Sequence, residues 1–145
     1  MTLGKEKIIP ILAMVVLFVG IAATIYVNAN ENQETITEKE IIINEQIYSF
    51  EDLSKIFQNI TIITDDGEKT GLPLKDIIVY SEVTCPNCNR YIFRANDPYQ
   101  QTILWNDVKT GVLTYDEKYN LRVYFPNLAH TFWVYNLVEI EVNKL

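Results

Sequence analysis

The two cysteines of this 145-residue chain, Cys85 and Cys88, are separated only by Pro86 and Asn87. Two thiols at this spacing can close a disulfide, cycle between dithiol and disulfide as a redox pair, or supply two of the four ligands of a zinc site. The turn Cys85-Pro86-Asn87-Cys88, called the cysteine turn below, is therefore the first candidate site for chemistry in this chain.

The sequence leaves three interpretations of the cysteine turn open. Two cysteines of an exported domain usually pair, which favours a structural disulfide. In a redox pair, Cys85 would be the nucleophile and Cys88 the resolving thiol, and residues 78–88 are locally similar to the strand and active-site turn of glutaredoxins. The βαβ order that surrounds such a motif in a thioredoxin-like fold is not evident around this turn.

A zinc site at Cys85 and Cys88 would need two further ligands. His130 is the only histidine, and the fourth ligand would have to come from a carboxylate or from a second chain. Its neighbours Phe132 and Trp133 also favour a half-buried structural role for His130. No other constellation typical of a catalytic site is apparent in the sequence.

An uncharged run of 20 residues, Ile8 to Val27, lies near the N-terminus. A helix of this length spans about 30 Å, the thickness of a membrane hydrocarbon core. Lys5 and Lys7 precede the run, which predicts a cytoplasmic N-terminus and an extracytoplasmic domain in a single-pass protein of the cell membrane. We expect residues 1–30 to be a membrane anchor, with a signal peptide as the alternative.

A polar linker, residues 31–39, separates the predicted anchor from one domain at residues 40–145. The chain carries a net charge of −7, and because residues 1–30 carry +1, the remainder carries −8. An acidic domain lacks the basic surface that nucleic acids require, so we exclude nucleic acid as a partner.

Short alternating segments and few helical segments predict an α+β domain with small mixed β-sheets and short helices. Ser49 occupies a helix N-cap position. The predicted elements are a hairpin at 40–48, a helix at about 50–58, strands at 61–64, 91–95, 101–104, 121–125 and 138–142, and short helices that begin near Pro73 and Trp105.

Three blocks of sequence, taken in order, are similar to a known family. They lead from a turn into a proline-initiated helix, from an Asn-Asp-Pro turn into a hairpin and short helix, and through the closing strands. These blocks are Thr64–Gly67 with Thr70–Ile78, then Ala95–Val108, and finally Leu121–Pro126 with Phe132–Val134 and Val138–Val142.

Together the blocks resemble the molybdopterin-binding domain of the sulfite oxidase family in a short form over residues 40–145. The resemblance implies that fold and, in its enzymes, a molybdenum-ligating cysteine on the strand before the Gly71-Leu72-Pro73-Leu74 step. Here that strand is Thr61–Thr64, which contains no thiol. We therefore expect no bound cofactor. The resemblance leaves molybdopterin as an alternative, and zinc is an alternative at Cys85 and Cys88 only with further ligands.

The resulting functional expectation is a membrane-anchored, extracytoplasmic domain that is molybdopterin-binding-like but not an enzyme. It would act as a binding or accessory subunit, with a protein partner in a membrane redox complex. The alternative is an exported thiol-disulfide oxidoreductase that uses Cys85 and Cys88.

Overall fold

The computed structural model describes residues 14–16 and 39–145. Residues 14–16 are helical and belong to a different unit from residues 39–145. The rest of the predicted anchor, Ile8 to Val27, lies outside the described residues, as does most of the predicted linker. Within the part of the chain that is described, no helix has the length and apolar character needed to cross a membrane.

Nine strands and three short α-helices build residues 39–145. The α+β prediction with small sheets and few short helices is confirmed at this level. The elements are β1 (Glu40–Ile43), β2 (Gln46–Ser49), α1 (Phe50–Ile56), β3 (Ile60–Thr64), β4 (Gly67–Pro73), α2 (Leu74–Tyr80), β5 (Asn89–Ala95), β6 (Gln100–Leu104), α3 (Trp105–Val108), β7 (Val112–Asp116), β8 (Asn120–Tyr124) and β9 (Leu137–Lys144).

The first sheet has five strands in the order β2-β1-β9-β5-β6. Two antiparallel hairpins, β1–β2 and β5–β6, flank the last strand. Strand β9 pairs parallel with β1 and antiparallel with β5. The C-terminal strand therefore joins the first and middle parts of the domain into one sheet.

The second sheet is antiparallel, with the strand order β3-β4-β7-β8. Its β3–β4 hairpin turns at Asp65 and Asp66, and Gly67, the first residue of β4, has a φ of 92°. This positive φ suits glycine, because a side chain would be strained there. The predicted turn Asp65-Asp66-Gly67 is thus present where the sequence placed it.

A single apolar core connects both sheets and the helices. Phe93 of β5 meets Phe125, which follows β8, with ring centroids 5.4 Å apart and the planes nearly perpendicular. Ile77 and Ile78 bury one side of α2 in the same core, and Leu53 does so for α1. Helix α2 and strand β5, which precede and follow the cysteine turn, are therefore both packed on this core.

Two strands and several boundaries differ from the sequence predictions. The stretch that leads into α2 is strand β4, and the stretch after Gly111 is strand β7. Helix α1 ends at Ile56, about two residues before the predicted end, and Ile56 is 50% exposed. Ser49 is the N-cap of α1 by position, but its side chain makes no capping hydrogen bond.

Replacing Gly71 by alanine is expected to destabilise the second sheet. An added Cβ would lie 2.5 Å from the carbonyl oxygen of Leu113, on the adjacent strand β7. Because that oxygen is backbone, it cannot rotate away, and overpacking of this kind costs about 1–3 kcal/mol. Denaturant unfolding of Gly71→Ala, compared with Glu68→Ala on the exposed part of β4, measures this. Equal stability of the two variants would contradict the strand packing described here.

Candidate functional site

The two cysteines of the cysteine turn are joined by a disulfide, with 5.4 Å between their Cα atoms. Both residues are exposed. Cys85 adopts a left-handed backbone conformation with φ 49°, and residues 86–88 form a single 3₁₀ turn. The backbone N–H of Cys88 donates to the carbonyl oxygen of Cys85 at 2.8 Å, so the disulfide spans a turn that is also closed by the backbone.

Hydrogen bonds from two side chains of β5 hold the backbone of the cysteine turn. The side-chain Nδ2 of buried Asn89 donates to the carbonyl oxygens of Thr84 at 3.0 Å and Cys85 at 2.9 Å. The hydroxyl of Tyr91 donates to the carbonyl oxygen of Pro86 at 3.0 Å. These contacts satisfy carbonyls that a sharp turn would otherwise leave without partners.

A further hydrogen bond comes from the residue after β9. The backbone N–H of Leu145 donates to the carbonyl oxygen of Cys88 at 3.0 Å. The aromatic side chain of Tyr91 also packs against Trp105 of α3, with centroids 5.8 Å apart. Burial raises the pKa of the Tyr91 hydroxyl to about 12. The cysteine turn is therefore fixed by β5, β9 and α3 together.

A polar cavity of about 300 Å³ lies beside the cysteine turn. Its wall contains the carboxamides of three asparagines, one each from the turn, β5 and α3, and also one indole ring and two leucine side chains. Its lining residues are Asn87, Asn89, Leu104, Trp105, Asn106 and Leu145.

The surroundings of Cys85 differ from the predicted glutaredoxin-like arrangement. Residues 78–80, interpreted there as a strand, are the last turn of helix α2. Cys85 precedes a 3₁₀ turn of three residues, Pro86–Cys88, and not the N-terminus of an α-helix. An α-helix N-terminus is one of the features that stabilise a nucleophilic thiolate, and Cys85 lacks it.

Strand β3 stands where the family resemblance implies a metal-ligating cysteine. Its two hydroxyls are used within the second sheet: Thr61 Oγ1 lies 2.8 Å from Thr70 Oγ1, and Thr64 Oγ1 donates to the carbonyl oxygen of Gly67 at 2.7 Å. Molybdenum in such a site requires a soft sulfur ligand, and β3 offers only hydroxyls and hydrocarbon. The residues of β3 therefore do not fit the molybdenum centre of the family.

His130 lies away from the cysteine turn, beyond the opposite end of the β5–β9 pair. Its ring stacks on Trp133 with centroids 4.1 Å apart. Asn89 pairs with Lys144 at the cysteine end, whereas Ala95 pairs with Leu137 at the other end, about 20 Å away along the strand. Among the described residues, no group of three or more His, Cys, Asp or Glu side chains is placed to hold a metal.

A second cavity, called the aromatic cavity below, lies at that opposite end. It has a volume of about 280 Å³ and is walled mainly by aromatic rings, with one carboxylate and one carboxamide. Its lining residues are Ala95, Asp97, Tyr99, His130, Trp133, Tyr135 and Asn136. Sequence reasoning did not predict this site, because its wall comes from three separate segments.

Neighbouring groups fix the aromatic rings of this cavity in place. The Trp133 Nε1–H donates to the carbonyl oxygen of Phe125 at 3.2 Å. The Tyr99 hydroxyl donates to the carbonyl oxygen of Thr131. Tyr135 packs against Tyr119 with ring centroids 5.2 Å apart. An aromatic wall anchored in this way can bind a ligand without first having to be ordered.

Changing Asn89 to aspartate is expected to destabilise the cysteine turn by about 3 kcal/mol, because a carboxylate would replace the amide donor beneath two carbonyl oxygens. Denaturant unfolding followed by tryptophan fluorescence measures the loss. Asn106→Asp, the same change at an exposed position on the neighbouring cavity, is the matched control. Equal effects at both positions would contradict the bracing role of Asn89.

The raised pKa of Tyr91 predicts an alkaline loss of stability. Its hydroxyl titrates at about 12 in the folded chain and at 10.0 ordinarily, so the stabilisation is present below pH 10 and is lost as pH rises through 12. The free energy of unfolding should fall more steeply over this interval for the unmodified protein than for Tyr91→Phe. Tyr48→Phe removes a hydroxyl that donates to Gln46 at the exposed surface, and it is the matched control for loss of a tyrosine hydroxyl.

Comparison with known proteins finds no matching protein-family model and no curated protein with significant similarity to the chain.

Proposed function

We propose that this chain is a membrane-anchored protein whose residues 40–145 form an extracytoplasmic binding domain, acting as an accessory subunit of a membrane redox system and not as an enzyme. The domain would have the sulfite oxidase-like molybdopterin-binding fold without its metal. The observation that carries the proposal is the division of the domain into a braced disulfide turn at one end and a preformed aromatic cavity at the other.

The contacts of the cysteine turn support a structural role for its disulfide. Three carbonyl oxygens of the turn accept one hydrogen bond each from residues that follow the turn. Asn89 donates to Cys85, Tyr91 donates to Pro86, and Leu145 donates to Cys88. These bonds hold the backbone of the turn in one conformation, as a structural disulfide requires. The disulfide then stabilises the end of the sheet, where β5 begins and β9 finishes.

The composition of β3 supports a domain that does not carry molybdenum. Thr61 and Thr64 already have intramolecular partners for their hydroxyls. The binding role falls instead to the aromatic cavity, which is open to solvent and has rings held by hydrogen bonds and stacking.

Metal analysis and pterin fluorescence of the purified full-length chain test this function. We expect neither molybdenum nor a pterin to co-purify in stoichiometric amounts, because β3 lacks the sulfur ligand. One molybdenum per chain, bound with a pterin, would contradict the proposal.

The exposure of both cysteine residues favours a second candidate, an exported thiol-disulfide oxidoreductase, since a reductant could reach the turn. An insulin reduction assay separates the two candidates. We expect the unmodified chain to be no more active than the double variant Cys85→Ser with Cys88→Ser. Turnover of insulin that disappears in the double variant would establish the oxidoreductase instead.

The same double variant tests the structural role of the disulfide. Closing so short a loop restricts few unfolded conformations, so its removal should lower the free energy of unfolding by about 2 kcal/mol. The variant should nevertheless fold, because the bonds from Asn89 and Tyr91 are unchanged. Chemical denaturation gives the value, and a loss near zero would contradict the structural role.

A further inference from the structure

We propose that the aromatic cavity binds a small organic cation that carries an alkylated ammonium group. This inference rests on the proposed binding function and names the chemical class of its ligand. Four features of the cavity support it: an oriented carboxylate, exposed tyrosine rings, the pairing of the nearby lysines and arginine with other rings, and the volume.

Asp97 contributes a carboxylate to the cavity wall. Its Oδ1 accepts a hydrogen bond from the backbone N–H of Tyr99 at 2.8 Å, which fixes the orientation of the carboxylate. Among the described contacts, no lysine, arginine or histidine forms an ion pair with Asp97 and no donor bonds its Oδ2. An oriented carboxylate beside aromatic rings attracts a cation and repels an anion.

Two tyrosine rings of the cavity are accessible to a ligand. Tyr99 is 39% exposed and Tyr135 is 38% exposed, whereas Trp133 is buried and forms the back wall. The faces of aromatic rings carry negative potential and attract ammonium groups, most strongly where alkyl substituents have already reduced the hydration of the cation. Because both rings are anchored, a ligand would find this potential already arranged.

Cationic side chains of the protein already lie near several of the neighbouring rings. Lys118 lies 4.8 Å from the ring centroid of Tyr119, and Lys69 lies 5.8 Å from that of Trp133. Arg122 is also 5.4 Å from Tyr119. None of the lysines and arginines in the described residues lies over Tyr99 or Tyr135, so these two rings are available to an external cation.

The volume of the cavity and the net charge of the domain restrict the size and charge of the ligand further. The cavity of about 280 Å³ is just below the range typical of drug-sized ligands, which suits a compact headgroup. Residues 31–145 carry a net charge of −8, and this field favours the approach of cations. A trimethylammonium headgroup with a short polar tail has the size and charge that these features select.

The test compares choline with 3,3-dimethylbutan-1-ol, which has nearly the same shape but no charge. Both are titrated calorimetrically into the full-length chain in neutral detergent at about pH 8, above the usual range of histidine titration. We expect choline to bind at one site per chain, and the neutral compound to bind about tenfold more weakly or not at all.

Variants then locate the site on the cavity wall. Asp97→Asn and Tyr135→Leu should each weaken choline binding by about tenfold. Asp97→Asn keeps the Oδ1 acceptor for the Tyr99 N–H, so its denaturation midpoint should not change. Tyr135→Leu loses the ring contact with Tyr119, so its midpoint should fall slightly, and its binding is measured where the variant is fully folded. Asp52→Asn, an exposed carboxylate on α1, is the matched control and should bind choline like the unmodified protein.

Each outcome has a definite meaning. Equal binding of the two compounds, equal weakening by Asp97→Asn and Asp52→Asn, or the absence of choline binding would overturn the cation assignment. These results would leave the proposed binding function standing, because that function fails only through stoichiometric molybdenum and pterin or through insulin turnover by the cysteine pair.

Discussion

The pairing of β9 between β1 and β5 is the constraint on which the domain depends. Because β9 lies between β1 and β5, the five-stranded sheet is complete only when residues 137–144 join the first hairpin to the middle one. The same strand also positions both candidate sites. Its start follows Asn136 of the aromatic cavity, and the residue after its end, Leu145, holds Cys88.

One consequence is that the two sites are kept apart by the length of the strand pair. The antiparallel register of β5 and β9 places the cysteine turn beside one end and the aromatic cavity beside the other. A joint site for Cys85, Cys88 and His130 is incompatible with this separation. The zinc interpretation would therefore need ligands from elsewhere, such as a second chain.

Local sequence patterns predicted most of the strands and the turns between them. Alternating apolar and polar residues marked β5, β8 and β9, and Gly67 marked the β3–β4 turn. Strand β4 was missed because Gly71 and Pro73 are unusual within strands; Gly71 is needed there because β7 approaches closely. Strand β7 was missed because its pairing with β4 and β8 is not a local property of the sequence.

The candidate sites differ in how far the sequence could predict them. The spacing of Cys85 and Cys88 identified the cysteine turn at once, whereas the bracing by Asn89 and Tyr91 depends on how the turn folds back over β5. The aromatic cavity had no sequence signature. Its walls come from the β5–β6 turn, the 3₁₀ turn at His130–Phe132 and the segment before β9, which only the folded chain brings together.

Whether the cysteine turn is a structural disulfide, and not a working dithiol or a metal half-site, is best decided from the state of Cys85 and Cys88 in the cell. Intact mass and metal content should be measured on the full-length chain, alkylated during lysis without reductant. We expect no alkylated cysteine, a mass two hydrogen atoms below that of the reduced chain, and no stoichiometric zinc. Two alkylated cysteines, or zinc bound in proportion to the chain, would contradict it.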